Sequence, residues 1–144
     1  MGFYLERWQE IEEFEDEAKM LGKYIHDNLW DEKTGFLYDQ YADGTLCKTK
    51  GIGAYWALFT NVLDTIQLNR MVKELDNPET FNRKFRVPSL SADHPKYKEN
   101  GRYWQGGIWP GTNYMVIQGL VKKGYRKLAR EIALNHYNDC LLYT

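Results

Sequence analysis

The sequence predicts an all-α domain of antiparallel helical hairpins, and three observations predict it. Apolar residues recur at spacings of three and four through most of the 144 residues, the period of a helix with one buried face. Short turns alternate with longer loops rich in glycine and aromatic residues. Only one stretch, Phe36 to Tyr41, is bounded by turn clusters that suit a short irregular β-hairpin.

The elements follow in order. From Phe3 to Leu29, residues Tyr4, Trp8, Ile11, Phe14, Ala18, Leu21, Ile25 and Leu29 form an apolar stripe between charged positions, which predicts a long amphipathic helix. Its charged run from Glu10 to Lys19 is the solvated face. The cluster Asp31-Glu32-Lys33-Thr34-Gly35 ends it, and Ala42-Asp43-Gly44-Thr45 closes the hairpin segment. A second helix is expected from about Ile52 to Val62, carrying Tyr55, Trp56, Leu58 and Phe59. A third starts after Asp64, whose side chain can accept from the first turn while Gln67 reaches back, with Ile66, Met71, Val72 and Leu75 as the buried stripe. Asn77-Pro78-Glu79 opens a further short turn of helix, with Pro at a position that needs no N–H. Helix resumes at Thr112 with Tyr114, Ile117, Leu120 and Val121, stops at Gly124, and restarts at Tyr125, so Gly124 is the C-cap between two antiparallel helices. By the same spacing Trp8, Phe14, Tyr55, Trp56, Phe59, Tyr114, Tyr125 and Tyr137 read as core, whereas Trp30 and Tyr38 sit where a loop could reach a pocket rim.

Composition excludes several function classes. The net charge of −1 leaves no basic stripe for nucleic acid or an anionic membrane. No charged-then-apolar leader follows Met1, and no apolar run approaches the ~20 residues that span a bilayer, so the chain reads as soluble with its compartment unspecified. Cys47 and Cys140 are too far apart in sequence for a CxxC pair and read as buried free thiols. His26, His94 and His136 lack metal-ligand spacing. No metal and no cofactor is expected.

From about Arg86 to Pro110 neither helical nor alternating pattern survives. A connection of that length in a compact domain has work to do. It ends in Tyr103-Trp104-Gln105-Gly106-Gly107-Ile108-Trp109-Pro110-Gly111-Thr112-Asn113-Tyr114, where flat rings with polar rims and an amide stand among glycines. Such faces suit sugars. Trp104 and Trp109 have a second reading, as anchors packed between hairpins. Gly106, Gly107 and Gly111 permit tight backbone geometry rather than touch a ligand.

Three blocks carry a family resemblance. They are Asn28-Leu29-Trp30-Asp31-Glu32-Lys33-Thr34-Gly35-Phe36-Leu37-Tyr38-Asp39, then Val87-Pro88-Ser89-Leu90-Ser91-Ala92-Asp93-His94-Pro95-Lys96-Tyr97, then Tyr103 to Trp109 with Asn113-Tyr114 and Gly119-Leu120. In this order they resemble the trehalase-like glycoside hydrolases, above all the glycoside hydrolase family 63 and mannosylglycerate-hydrolase-like group. The resemblance covers about Trp8 to Tyr137, and its last block is the most specific: Tyr103, Trp104, Gln105 and Trp109 match the family block that lines the sugar pocket, which implies that they bind substrate, the rings against the C–H face and Gln105 donating to and accepting from hydroxyls.

The resemblance implies an (α/α)₆ toroid, six helical hairpins around a pocket for an α-linked oligosaccharide or disaccharide, and hydrolysis with inversion. Inversion needs two carboxyl groups about 6.5–9.5 Å apart, one protonated and one ionised. In the family the acid is an Asp before the helix that corresponds to Tyr4–Leu29, and the base is a Glu beyond the helix that corresponds to Tyr125–Leu142. Neither block is recognisable here. Residues 1–144 thus read as one partial toroid domain that contributes sugar-binding loops, is inactive alone, and offers no catalytic residue: Asp31 and Asp43 sit in turns, and Asp39 and Asp93 have no partner at a telling spacing. The open flanks of such a toroid are expected to favour a homo-oligomer. The alternative is a noncatalytic carbohydrate- or protein-binding module of helical hairpins.

Overall fold

The computed structural model describes residues 7–141. Phe3, Tyr4 and Leu142, together with the side chain of Cys140, lie outside the described residues. Helix α1 spans Trp8–Tyr24 and runs into a wide π turn, Ile25–Leu29. The hairpin follows: β1 (Trp30–Asp31) pairs antiparallel with β2 (Phe36–Leu37), Trp30 opposite Leu37 and Asp31 opposite Phe36. The second turn, at Asp43-Gly44, is closed by one bridge, Gln40 to Leu46, and Asp43 Oδ1 accepts from the Thr45 N–H at 2.9 Å.

A 3₁₀ helix occupies Ile52–Phe59, where an α-helix reaching Val62 was expected. Its three-residue turn stacks i and i+3, so Ile52, Tyr55 and Leu58 form one buried ridge while Trp56 turns outward. Helix α2 spans Thr65–Leu75 and begins with the expected reciprocal cap: Asp64 Oδ1 accepts from Gln67 N–H at 2.8 Å, and Gln67 Oε1 from Asp64 N–H at 3.1 Å. Met71, Val72 and Leu75 are buried, but Ile66 is 70% exposed. Five positions before Met71, it lies about 140° around the helix from it. The segment after Asn77 is a hydrogen-bonded turn rather than a turn of helix, with Asn77 Oδ1 accepting from Glu79 N–H at 2.9 Å.

Helices α3 (Pro110–Lys122) and α4 (Arg126–Leu141) form the antiparallel hairpin that the sequence outlines. α3 begins two residues before the expected Thr112, with Pro110 in its first turn. Gly124 joins the pair at φ +87°, a left-handed conformation that glycine adopts without strain.

The core gathers where α3 crosses the 3₁₀ helix and where α2 meets β2. Phe36, Tyr55 and Phe81 lie within 5.4–6.2 Å of one another, two of the three pairs edge-on, and the Tyr55 hydroxyl donates to the Met71 carbonyl at 3.1 Å. Burial pushes that phenol well above its usual range. Gly119 on α3 lets Leu58 approach so closely that a Cβ there would stand 2.7 Å from the Leu58 Cβ.

Of the eight aromatics expected in the core, Tyr55 is buried, Phe59 and Tyr125 are half-buried, and Trp8, Phe14, Trp56, Tyr114 and Tyr137 are exposed. The reason is clearest in α1. None of its residues is buried: near its C-terminal end it meets the body through Gly22 beside Val62 and through the Tyr24 hydroxyl, which donates to Gln40, and the π turn beyond it packs Ile25 and Leu29 against the core. Helical periodicity specifies a face; it does not supply what covers that face.

Candidate functional site

The loop from Tyr97 to Pro110 is stitched to itself and to the strand-like segment before it. Lys98 N–H donates to the Gln105 carbonyl at 2.6 Å, Gly107 N–H to that of Tyr103 at 3.1 Å, and Ser89 N–H to that of Gly107 at 2.9 Å. A short 3₁₀ turn, Tyr103–Gln105, sits at the apex, with Tyr103 at φ +47° and Gly106 at φ +140°. Gly106 and Gly107 are required by space: a Cβ on Gly106 would overlap the Lys98 carbonyl oxygen and stand 2.9 Å from the Tyr97 ring, and one on Gly107 would stand 2.5 Å from the Tyr103 carbonyl oxygen. Gly111 faces open space and has no such role.

This stitching raises three rings together. Trp104 and Trp109 stack with centroids 5.0 Å apart and planes inclined by 27°, while Tyr103 stands edge-on to both, 5.9 Å from Trp104 and 5.6 Å from Trp109. Tyr103 is 70% exposed and Trp104 47% exposed. Trp109 is half-buried, and its indole N–H is buried without a hydrogen-bond partner among the described residues.

A cleft of about 670 Å³ opens beside the cluster. Tyr103 and Trp109 line it; Trp104 backs Trp109 from behind, and the Gln105 side chain does not reach the lining. Tyr97, Phe85 and His136 supply further apolar or aromatic surface, and Arg83, Lys84, Glu99 and Asn100 supply polar edges. The sequence offered no signal for His136, which reads as one position in the stripe of α4, or for Phe85, at the start of the irregular segment. Tyr97 closes the second block that carries the family resemblance, but nothing in the sequence placed it against Gly106 or in the cleft.

The opposite rim, Arg83–Phe85, is held from the two helices. The Asn135 side chain of α4 accepts from Arg86 N–H at 2.7 Å and donates to the Lys84 carbonyl at 3.0 Å, in the manner of a neighbouring strand. Asn113 of α3 donates to the Arg86 carbonyl at 3.2 Å. Directly after these clamps Val87 is fully buried at φ +60°, a strained conformation for a β-branched residue that persists only where its surroundings dictate it.

Of the carboxylates that the sequence singled out, Asp31 and Asp93 lie in ion pairs, Asp43 in a turn, and Asp39 is exposed, its backbone carbonyl accepting from Cys47 N–H at 2.8 Å. Asp31 is paired with Lys48 at 2.7 Å and accepts from the Thr34 hydroxyl at 2.7 Å, which holds its pKa down at about 2. Asp93 shares the Lys50 ammonium with Glu74, at 3.2 and 2.9 Å. Burial disfavours that ammonium, yet the two carboxylates outweigh it and raise its pKa. Tyr38 is a core residue, and Trp30, half-buried, donates to Glu32 at 2.7 Å beneath the Arg70 guanidinium; neither lines the cleft. Cys47 is half-buried rather than buried. The Tyr41 hydroxyl donates to its sulfur at 3.3 Å, which lowers the thiol's pKa. No group of three or more His, Cys, Asp or Glu side chains poised for a metal occurs among the described residues, nor does any helix among them long and apolar enough to cross a membrane.

Helical hairpins with the cleft at their loop end are the architecture of part of an (α/α)₆ toroid, and solved structures agree on the fold. A family 63 mannosylglycerate hydrolase from Thermus thermophilus, solved with glucose, superposes with a TM-score of 0.66 over 74% of this chain and 27% of that one, at 24% identity. The neutral trehalase Nth1 of Saccharomyces cerevisiae superposes with a TM-score of 0.71 over 85% of this chain and 22% of that one, at 16% identity. The chain belongs to the mannosylglycerate hydrolase MGH1-like glycoside hydrolase domain family, whose family model matches residues 4–140. Among curated relatives, the mannosylglycerate hydrolase of Rubrobacter radiotolerans is 28% identical over 81% of this chain, and the cytosolic neutral trehalase of Kluyveromyces lactis 30% identical over 88%. The chain spans 27% of the former's length and 16% of the latter's.

Proposed function

We propose that this chain forms one wall of the sugar cleft of an inverting α-glycosidase acting on an α-mannoside or α-glucoside. The observation that carries the reading is the Tyr103–Trp104–Trp109 cluster, three rings fixed at the mouth of a cleft by a loop whose glycines cannot be replaced without collision. The exposed Tyr103 face and the edge of Trp109 meet the C–H face of a pyranose, and Trp104 stiffens Trp109. Relatives named for mannosylglycerate and for trehalose support a compact α-linked glycoside as substrate.

Of the carboxylates among the described residues, Glu99 alone lines the cleft. Inversion requires two, about 6.5–9.5 Å apart, so at least one of the acid and base of the complete reaction comes from residues outside this set. The same lone carboxylate favours the second reading, a noncatalytic carbohydrate-binding module. Titration of the chain with mannosylglycerate, trehalose, mannose and glucose, read by tryptophan fluorescence, is expected to show saturable binding that Trp104→Ala and Trp109→Ala each weaken at least tenfold while helicity stays constant. Binding that survives both substitutions sinks the cleft assignment. Turnover of an aryl α-glycoside that Asp39→Asn or Asp93→Asn abolishes sinks the claim that the chain lacks a catalytic pair.

A further inference from the structure

Several turns among the described residues are closed in one way: a side chain accepts from the backbone N–H two residues on. Asp43 Oδ1 accepts from Thr45 at 2.9 Å, Thr60 Oγ1 from Val62 at 3.3 Å, and Asn77 Oδ1 from Glu79 at 2.9 Å. In the turn that enters the cleft loop the acceptor is instead an imidazole, and His94 Nδ1 takes the Lys96 N–H at 3.1 Å. A backbone N–H only donates, so Nδ1 keeps its lone pair and the ring proton sits on Nε2. From there it donates to Thr49 Oγ1 at 3.4 Å, across to the segment that follows the hairpin. A hydroxyl or an amide stays an acceptor at every ordinary pH, and a carboxylate down to the acid range. An imidazole is converted to a donor at both nitrogens between about pH 8 and pH 5.

What the turn holds is the cleft wall. Tyr97 N–H donates to the His94 carbonyl at 2.9 Å, and the Tyr97 ring lies against Gly106 and lines the cleft with Tyr103 and Trp109. We propose that His94 is a proton-operated latch on this loop and a positioning residue for Tyr97. Neutral, it closes the turn and seats the ring. Protonated, its Nδ1–H confronts the Lys96 N–H, two donors without an acceptor, so the turn opens and Tyr97 leaves its seat. Charged and titratable groups flank the ring on both segments: Asp93 and Lys96 on its own turn, Cys47, Lys48 and Lys50 around Thr49. Asp93 is engaged by Lys50 at 3.2 Å, Lys48 by Asp31 at 2.7 Å, and the Cys47 sulfur by the Tyr41 hydroxyl at 3.3 Å. The closed turn therefore favours the neutral ring, and the latch is shut at the alkaline end of the histidine range and released as the pH falls through it. It acts on the shape of the loop and stands whether or not the cleft binds sugar.

The test follows the chain by nuclear magnetic resonance from about pH 8 to pH 5, across the range in which imidazoles titrate. The protection of the Lys96 amide, corrected for intrinsic exchange, is expected to fall by about five- to tenfold, the worth of one backbone hydrogen bond. Its midpoint should coincide with that of the His94 ring protons, and the Tyr97 ring signals should shift with it while the amides of α2 do not. His94→Asn supplies an acceptor that does not titrate, as Asn77 does in its own turn. That variant should keep the Lys96 amide protected throughout, although His26 and His136 still titrate in it. His94→Ala should leave the amide unprotected at both ends of the range. Protection of Lys96 that is independent of pH in the unchanged chain, or a pH dependence that persists in His94→Asn, overturns the proposal. A Tyr97 ring indifferent to the His94 titration overturns the positioning role.

Discussion

Replacing Gly106 by Ala tests whether the aromatic wall depends on the loop beneath it. Gly106 has φ +140° and ψ 0°, a region in which a side chain costs about 1–3 kcal/mol. The new Cβ also collides with the Lys98 carbonyl oxygen and stands 2.9 Å from the Tyr97 ring. Backbone cannot yield as a flexible side-chain end can, and Lys98 is itself tied to Gln105 at 2.6 Å. Overpacking of this kind costs about 1–3 kcal/mol. Allowing partial relaxation, the sum is about 2–4 kcal/mol, felt first as opening of the loop rather than global unfolding. Three readouts separate the two. The stacked indoles, 5.0 Å apart, couple their transitions, so the near-ultraviolet circular dichroism of the Trp104–Trp109 pair should collapse. Hydrogen exchange at the Lys98, Gly107 and Ser89 amides should rise by about 30-fold or more, as about 2 kcal/mol or more implies. The amides of α2 should change little. Unchanged exchange at those three amides together with an intact dichroism signal would refute the argument that the glycine is what lets the loop close.

Three further outcomes are expected. Asn135→Ala leaves Arg86 N–H and the Lys84 carbonyl without the partners that hold the cleft rim, so it should destabilise by about 2–3 kcal/mol in denaturant titration, and an unshifted midpoint would show that the clamp is idle. Asp64→Ala removes one half of the α2 capping box and should cost about 1 kcal/mol, checked by thermal melting alongside Gln67→Ala. Asp31, with its pKa held at about 2 by Lys48 and Thr34, binds its proton more weakly folded than unfolded. Its contribution is therefore fully present above pH ~4, is lost as the pH falls from ~4 toward ~2, and amounts to the order of 1 kcal/mol because Lys48 is half exposed to water. Asp31→Asn should flatten the stability–pH profile in that window, and a profile of unchanged slope would show that the pair does not act.

Much of the architecture was legible because it is written locally. The α2 cap depends on two residues three apart, the α3–α4 turn on one glycine, and the aromatic loop on a run of glycines and rings, so each appears in the structure where it was expected. The 3₁₀ helix was misread because both helix types place apolar residues every three to four positions. Only the strict spacing of Ile52, Tyr55 and Leu58 marked the tighter turn. The exposed positions of Trp8, Phe14, Trp56, Tyr114 and Tyr137 were misread for another reason: an apolar stripe is equally periodic whether or not another element lies against it.

The sequence by itself determined the helical class, the family, and the loop that raises Tyr103, Trp104 and Trp109, because propensity, capping and glycine chemistry act over a few residues. Only the tertiary structure decided that Tyr103 and Trp109 face the cleft while Trp104 stands behind and Gln105 falls short of it. It alone brought Phe85 and His136 to the same cavity and set Asn135 and Asn113 against the strained backbone at Val87. Those residues meet across separations of about 25 to 50 positions, and their geometry is fixed by how α3 and α4 pack onto the core rather than by any pattern along the chain.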